Sequence, residues 1–170
     1  MAGEEEIVEM EDDLYDDEDT MKDKYLTFHL AGEDYGLDIV YVTEIIGIQR
    51  ITEVPDMPTF VKGVINLRGK VIPVMDVRLR FHLPERDYDE RTCIIVVDIN
   101  SSAVGLVVDK VNEVVDIPEK DVEPPPRTTK GATSRYLKGM GKVEDQVRIL
   151  LNVEKLLGDE ELGQIADVAA

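Results

Sequence analysis

Two small tandem barrels of about five strands each, in a mainly β protein, are what this sequence predicts, on three observations. Short runs rich in Val, Ile and Leu alternate with turn residues from 24 to 157, the spacing of strands rather than of helices. Aliphatic side chains carry the packing, since the 170 residues include three Phe and no Trp. The third observation is that the chain contains itself twice. YGLDIVYVTEII (35–46) lies over VGLVVDKVNEVV (104–115) at a shift of 69 residues. FVKGVINLRGKVIPVMDVRLRF (60–81) lies over YLKGMGKVEDQVRILLNVEKLL (136–157) at a shift of 76. Two matches in the same order at similar shifts indicate a duplicated unit.

Residues 1–23 hold twelve acids and one lysine, −11 of the net −18. Too little apolar surface accompanies that charge to offset the entropy of ordering it, so a disordered tail is expected. It lacks the glycine and spaced oxygen ligands of a calcium loop. KYLTFHLA (24–31) alternates, Leu26, Phe28 and Leu30 facing one way and Tyr25, Thr27 and His29 the other. That reads as a half-buried, edge-like strand. In the first matched pair, Gly36 falls on Gly105, Leu37 on Leu106, Val42 on Val111, Glu44 on Glu113 and Ile45 on Val114. In the second, Lys62-Gly63 falls on Lys138-Gly139, Val71 on Val147 and Val77 on Val153. Asp76 falls on Asn152, and both can cap a short apolar helix. Pro84 is placed to stop the first helix and Gly158 the second. CIIVV (93–97) is apolar on both faces, the pattern of a central strand. PPP at 124–126 marks an irregular crossing before the polar loop RTTKGATSR. Gly158 and Gly163 weaken helical spacing in NVEKLLGDEELGQIADVAA, leaving a short helix with a frayed end over 159–170.

The balance of charge excludes several functions. Nucleic-acid binding needs clustered Lys and Arg, and here acids outnumber bases, 37 to 19. A single cysteine, Cys93, forms no internal disulfide and fits a reducing compartment. The first residues are acidic where a secretory leader is basic and then apolar, and no apolar run approaches the ~20 residues that span a bilayer. A cytoplasmic protein is expected. His29 and His82 read as surface histidines, and Cys93 as an inert thiol with no neighbouring base. No G-x-S-x-G, H-E-x-x-H or Walker pattern occurs, and KGMGK (138–142) has the wrong spacing to cradle phosphate. No catalytic, metal-ligating or cofactor-binding residue is assigned.

Folding requirements should appear in both copies, and function where only one copy keeps a residue. Arg68, beside the turn glycine in NLRGK, falls on Glu144, whereas Glu44 keeps an acid at Glu113. The first copy can thus pair Glu44 with Arg68, and the second has two acids. An ordinary surface salt bridge and an arginine presented to a bidentate partner are both consistent with this pattern.

Together YGLDIVYVTEIIG, FVKGVINLRGKVIPVMDVR, VGLVVDKVNEVV and ILLNVEKLL closely resemble the CheW family of bacterial chemotaxis coupling proteins, from Lys24 to Leu157. NLRGKVIPVMD is the most specific piece. The resemblance implies two SH3-like five-stranded barrels with a hydrophobic groove between them, and a non-enzymatic adaptor without cofactors. Its partners would be the cytoplasmic tip of chemoreceptors and the regulatory domain of the histidine kinase CheA, at receptor arrays on the inner face of the membrane and without insertion into it. Carried over by motif, receptor binding would use Val42, Glu44, Arg68, Cys93 and Val114, and kinase binding Gly63, Val64 and Ile65. The first barrel would cover about 32–90 and the second about 91–150 within a domain at 24–158, the first strand and the C-terminal helix being able to cross over. The competing reading is a ligand-binding or hydrolytic barrel that uses the inter-barrel groove.

Overall fold

The structure, a computed structural model, describes residues 21–126 and 132–158. Nearly all of the acidic tail, the middle of the polar loop and the frayed end expected beyond Gly158 lie outside the described residues. The first repeat supplies β1 (Lys24–Leu30), β2 (Glu33–Asp38), β3 (Val42–Gly47), β4 (Val61–Leu67), β5 (Lys70–Asp76) and helix α1 (Val77–Arg80). The second supplies β6 (Cys93–Ile99), β7 (Ser102–Val108), β8 (Lys110–Asp116), the short β9 (Val122–Glu123), β10 (Leu137–Val143), β11 (Gln146–Leu151) and helix α2 (Val153–Leu157).

Two sheets form, ordered β3-β6-β7-β5-β4 and β8-β1-β2-β11-β10-β9. Exchange each strand for its repeat counterpart and one order becomes the other, β9 apart. The registers repeat as well. β5 runs parallel to β7 with Val74 opposite Gly105, and β11 runs parallel to β2 with Leu150 opposite Gly36. Glycine is required at both crossings, because a Cβ would lie 2.7 Å from Ile94 Cγ2 at Gly105 and 2.9 Å from Leu150 Cδ2 at Gly36. The duplication is therefore present in three dimensions, but the barrels do not divide near residue 90 as expected. β1 crosses into the second barrel, as the expected boundaries allowed, but β2 goes with it, and β6 and β7 cross the other way. The reason is that each repeat's opening hairpin has both edges claimed by the other repeat. β1 pairs with β8 and β2 with β11, as β6 pairs with β3 and β7 with β5.

Each sheet curls until its edges meet. Beyond β3, Thr52 exchanges backbone hydrogen bonds of 2.8 and 2.9 Å with Val64 of β4. Beyond β8, β9 takes the same place beside β10, which makes the second sheet six-stranded. These are two SH3-like barrels in a mainly β fold.

Three cores hold the molecule. The largest lies between the barrels and takes Leu26, Phe28 and Leu30 from β1, Ile95 and Val97 from β6, and Leu156 and Leu157 from α2. The first barrel encloses Ile65, Ile72, Val74, Ile94, Val96 and Val107. The second encloses Tyr25, Ile117 and Leu150 as its fully buried apolar residues among those described. β6 is central and buried on both faces, as expected. β1 is no half-buried edge. It lies between β8 and β2, so that Tyr25 and Thr27, predicted to face solvent, are 3% and 1% exposed.

Asp76 and Asn152 cap α1 and α2, accepting hydrogen bonds from the N–H groups of Leu79 and Lys155. Gly158 ends α2 as predicted, whereas α1 ends at Arg80, before Pro84, with Phe81 as its cap and His82 in the left-handed region at φ 59°. Two arginines of α1 join the barrels. Arg80 lies between the rings of Phe60 and Tyr136, 4.3 and 4.6 Å from their centroids, and donates to Leu156 O at 3.0 Å. Arg78 donates twice to Asp109, at 2.7 Å each, and Asp109 also accepts from the Ala31 N–H.

Candidate functional site

In the first barrel the β4–β5 hairpin is closed by a two-residue turn, with Leu67 opposite Lys70. Its central residues, Arg68 and Gly69, have φ of 51° and 86°. Positive φ at both positions matches the right-handed twist of the flanking strands. Glycine adopts it freely, and an arginine does so against steric resistance. The turn thus places a long cation at an exposed tip, 72% accessible at its side chain. On β3, a bulge between Val42 and Glu44 shifts the register against β6. Arg68 Nη2 donates to Glu44 Oε2, so the pair that the sequence predicted forms. The hydrogen bond to Glu44, and then its charge, hold the Arg68 guanidinium above its ordinary pKa. Arginine carries its charge at any physiological pH, with or without that partner.

The barrels also expose large apolar residues. Ile45 on β3 and Val71 on β5 are 44% and 45% exposed, and their counterparts Val114 and Val147 on the second barrel are 49% and 54% exposed. Both barrels keep these exposed apolar positions. Only the first adds the ion pair, since Glu113 and Glu144 are both acids. Sequence reasoning missed Ile45 and Val71 as surface residues, although each falls on an apolar counterpart in the repeat.

The other residues expected to bind receptor, Val42, Cys93 and Val114, are spread out. Val42 and Cys93 are half-buried at the margin of the inter-barrel core, but at opposite ends of one ladder, Val42 opposite Val97 and Cys93 opposite Gly47. Cys93 Sγ donates to Arg91 O at 3.3 Å. Val114 stands on β8 of the second barrel, opposite Leu26. The structure brings Glu44 and Arg68 together and leaves the other three apart.

Gly63, Val64 and Ile65, the residues expected to bind the kinase, build the closure of the first barrel. Gly63 has φ 145°, and a Cβ there would lie 2.0 Å from Thr52 O. Val64 is half-buried with both its backbone N–H and C=O engaged by Thr52. Ile65 is 2% exposed in the barrel core. Of the three, only Val64 has side-chain surface to offer.

Elsewhere, His29 Nδ1 lies 2.6 Å from Asp34 Oδ1, and His82 is exposed. Among the described residues no group of three or more His, Cys, Asp or Glu side chains is placed to hold a metal ion, and no helix is long and apolar enough to cross a membrane. An open depression on the second barrel is lined by Tyr25, Asp38, Val40, Val122 and Lys138, where Lys138 Nζ donates to the Tyr25 hydroxyl at 2.8 Å.

Strand-exchanged paired SH3-like barrels with an ion-paired hairpin tip define a class of β protein, and comparison with known proteins places the chain within it. The family model for the CheW-like domain matches residues 24–161. A chemotaxis protein CheW of Klebsiella aerogenes is 37% identical over 151 residues, covering 89% of this chain and 91% of that protein. A chemotaxis protein CheW of Treponema pallidum is 30% identical, covering 84% and 86%. Among solved structures, the scaffolding protein TtCheW of Thermoanaerobacter tengcongensis superimposes with a TM-score of 0.75 at 40% identity, over 82% of this chain and 94% of that one. The chain belongs to the CheW family of chemotaxis coupling and scaffold proteins.

Proposed function

We propose that the chain is a non-enzymatic adaptor that binds the cytoplasmic tip of methyl-accepting chemoreceptors and the regulatory domain of the histidine kinase CheA, so that receptor signals control kinase autophosphorylation. It would act in the cytoplasm, at receptor arrays on the inner face of the membrane. The observation that carries this reading is the Glu44–Arg68 pair, which belongs to one barrel of a duplicated scaffold. A rigid, always-charged guanidinium at an exposed tip, on a barrel that also exposes Ile45 and Val71, has the composition of a protein contact, in which arginine and apolar anchors supply the binding energy. Receptor contact would centre on Glu44 and Arg68 and extend to Val42, Cys93 and Val114. Kinase contact would use Val64, with Gly63 and Ile65 shaping the strand beneath it.

Arg68→Glu tests the reading. It places two carboxylates where a pair now stands, at an exposed position that the cores do not need. Kinase activation in a reconstituted mixture of receptor fragment, CheA and this chain should be lost, while urea unfolding stays cooperative at an unchanged midpoint. Full activation by this variant would remove the site from the first barrel.

A further inference from the structure

The tip that presents Arg68 is held by another residue. At φ 51° Arg68 occupies a conformation that Asn, Asp and Gly favour, but the aligned Glu144 adopts it too, so the hairpin itself sets that φ, and what differs between the repeats is a further constraint on the tip. Asn66 supplies the constraint, as its Oδ1 accepts the Gly69 backbone N–H at 2.8 Å and so bridges the turn on either side of Arg68. This is the local side chain-to-backbone bonding by which asparagine fixes turns. From the other side, Gln49 Nε2 reaches Asn66 O at 3.5 Å, tying the hairpin to the segment that follows β3, the strand of Glu44.

The second barrel supplies the contrast. The residue aligned with Asn66 is Lys142, whose ammonium donates to Glu123 on β9 and which has no side-chain acceptor to offer the turn. The residue aligned with Arg68 is Glu144, also left-handed at φ 56°. The repeat that keeps the cation keeps the asparagine, and the repeat that lacks one lacks both.

We infer that Asn66 is the positioning residue for Arg68: it fixes the hairpin tip so that the guanidinium meets Glu44 and is presented in one orientation to a partner. This rests on the reading that Arg68 contacts a partner. It assigns Asn66 no contact of its own.

The test compares Asn66→Ala, Asn66→Asp and Arg68→Glu in the full chain, titrated against a purified receptor-tip fragment and, separately, against the CheA regulatory domain. Loss of one neutral hydrogen bond should weaken the affected binding about three- to tenfold in Asn66→Ala. Asn66→Asp keeps the acceptor and should restore it. A residue needed only for folding would not move a second readout, the NMR signal of the Arg68 side-chain Nε–Hε. That signal should be slowly exchanging in the native chain, broadened in Asn66→Ala and restored in Asn66→Asp, with the unfolding midpoint little changed. Loss of binding in Arg68→Glu with native binding and an unchanged Arg68 signal in Asn66→Ala would overturn this inference alone. Native binding by Arg68→Glu would overturn the functional reading beneath it.

Discussion

The first barrel has a wholly apolar filling, whereas the second, with the same strand order, accommodates an arginine. Ile72 of β5 and Arg148 of β11 occupy equivalent positions, and Ile65 opposite the first corresponds to Gly141 opposite the second. Arg148 is 8% exposed, and its buried Nε and Nη1 have no hydrogen-bond partner. A Cβ on Gly141 would lie 2.8 Å from Ile117 Cδ1, so the glycine makes room for the larger neighbours. On the surface the contrast reverses. There the first barrel carries the paired charges at its hairpin tip, and the second has two acids. Duplication preserved registers, bulges and caps, the features that folding needs, and left barrel filling and hairpin tip free to diverge.

The largest expected effect comes from separating the repeats. Residues 1–86 and 87–170, expressed alone, should each lack cooperative unfolding, because neither contains the partners of its opening hairpin. Mixed, they should recover the β circular dichroism of the intact chain. Independent folding of either piece would mean that strand exchange is dispensable. Next come the bulge glycines. Gly63→Ala puts a methyl group into Thr52 O in a backbone conformation that alanine resists, and should cost roughly 3 kcal/mol or more. Gly139→Ala meets Glu123 O at 2.7 Å without positive φ and should cost about half as much. Urea midpoints of the two variants, compared, measure how tightly each barrel is closed.

Removing the buried guanidinium should act in the opposite direction. Arg148→Ile gives the second barrel the residue of the first and should raise stability by about 1–3 kcal/mol, since a guanidinium with two buried, unsatisfied nitrogens is worse than an apolar side chain. Ile72→Arg should lower stability by more than that gain. Thermal unfolding of both variants reads the difference directly. The smallest effect is at the junction. Burial alone would raise the Asp109 carboxyl, but hydrogen bonds from Arg78 and the Ala31 N–H, with the charges of Arg78 and Arg86, outweigh it and hold the carboxyl below its ordinary 3.8. A depressed carboxylate stabilises the fold above its unfolded pKa, and that stability is lost as pH falls through the folded value. Asp109→Asn should therefore be less stable than the native chain at pH 7, with the gap closing below about pH 4 in urea titrations.

The pairing of Glu44 with Arg68 was legible in the sequence because each repeat acts as a control for the other. The caps at Asp76 and Asn152 were legible because capping depends on three or four consecutive residues. Tyr25 and Thr27 were misread because alternation records two faces without saying what covers each one. Arg78, Arg80 and Asp109 gave no signal, since their partners are distant in the chain. Ile45 and Val71 were hidden by their own hydrophobicity, which marks a core as readily as a docking surface.

By itself the sequence determined the number of repeats, their turns, caps and strands, and an arginine beside the turn glycine that the other repeat replaces with an acid, because all of these depend on short-range chemistry and on comparison within the chain. Only the tertiary structure decided which repeat's strands complete which barrel. An opening hairpin finds the same kind of edge on either repeat, and the choice depends on long-range parallel pairing across Gly36 and Gly105, which no local pattern encodes.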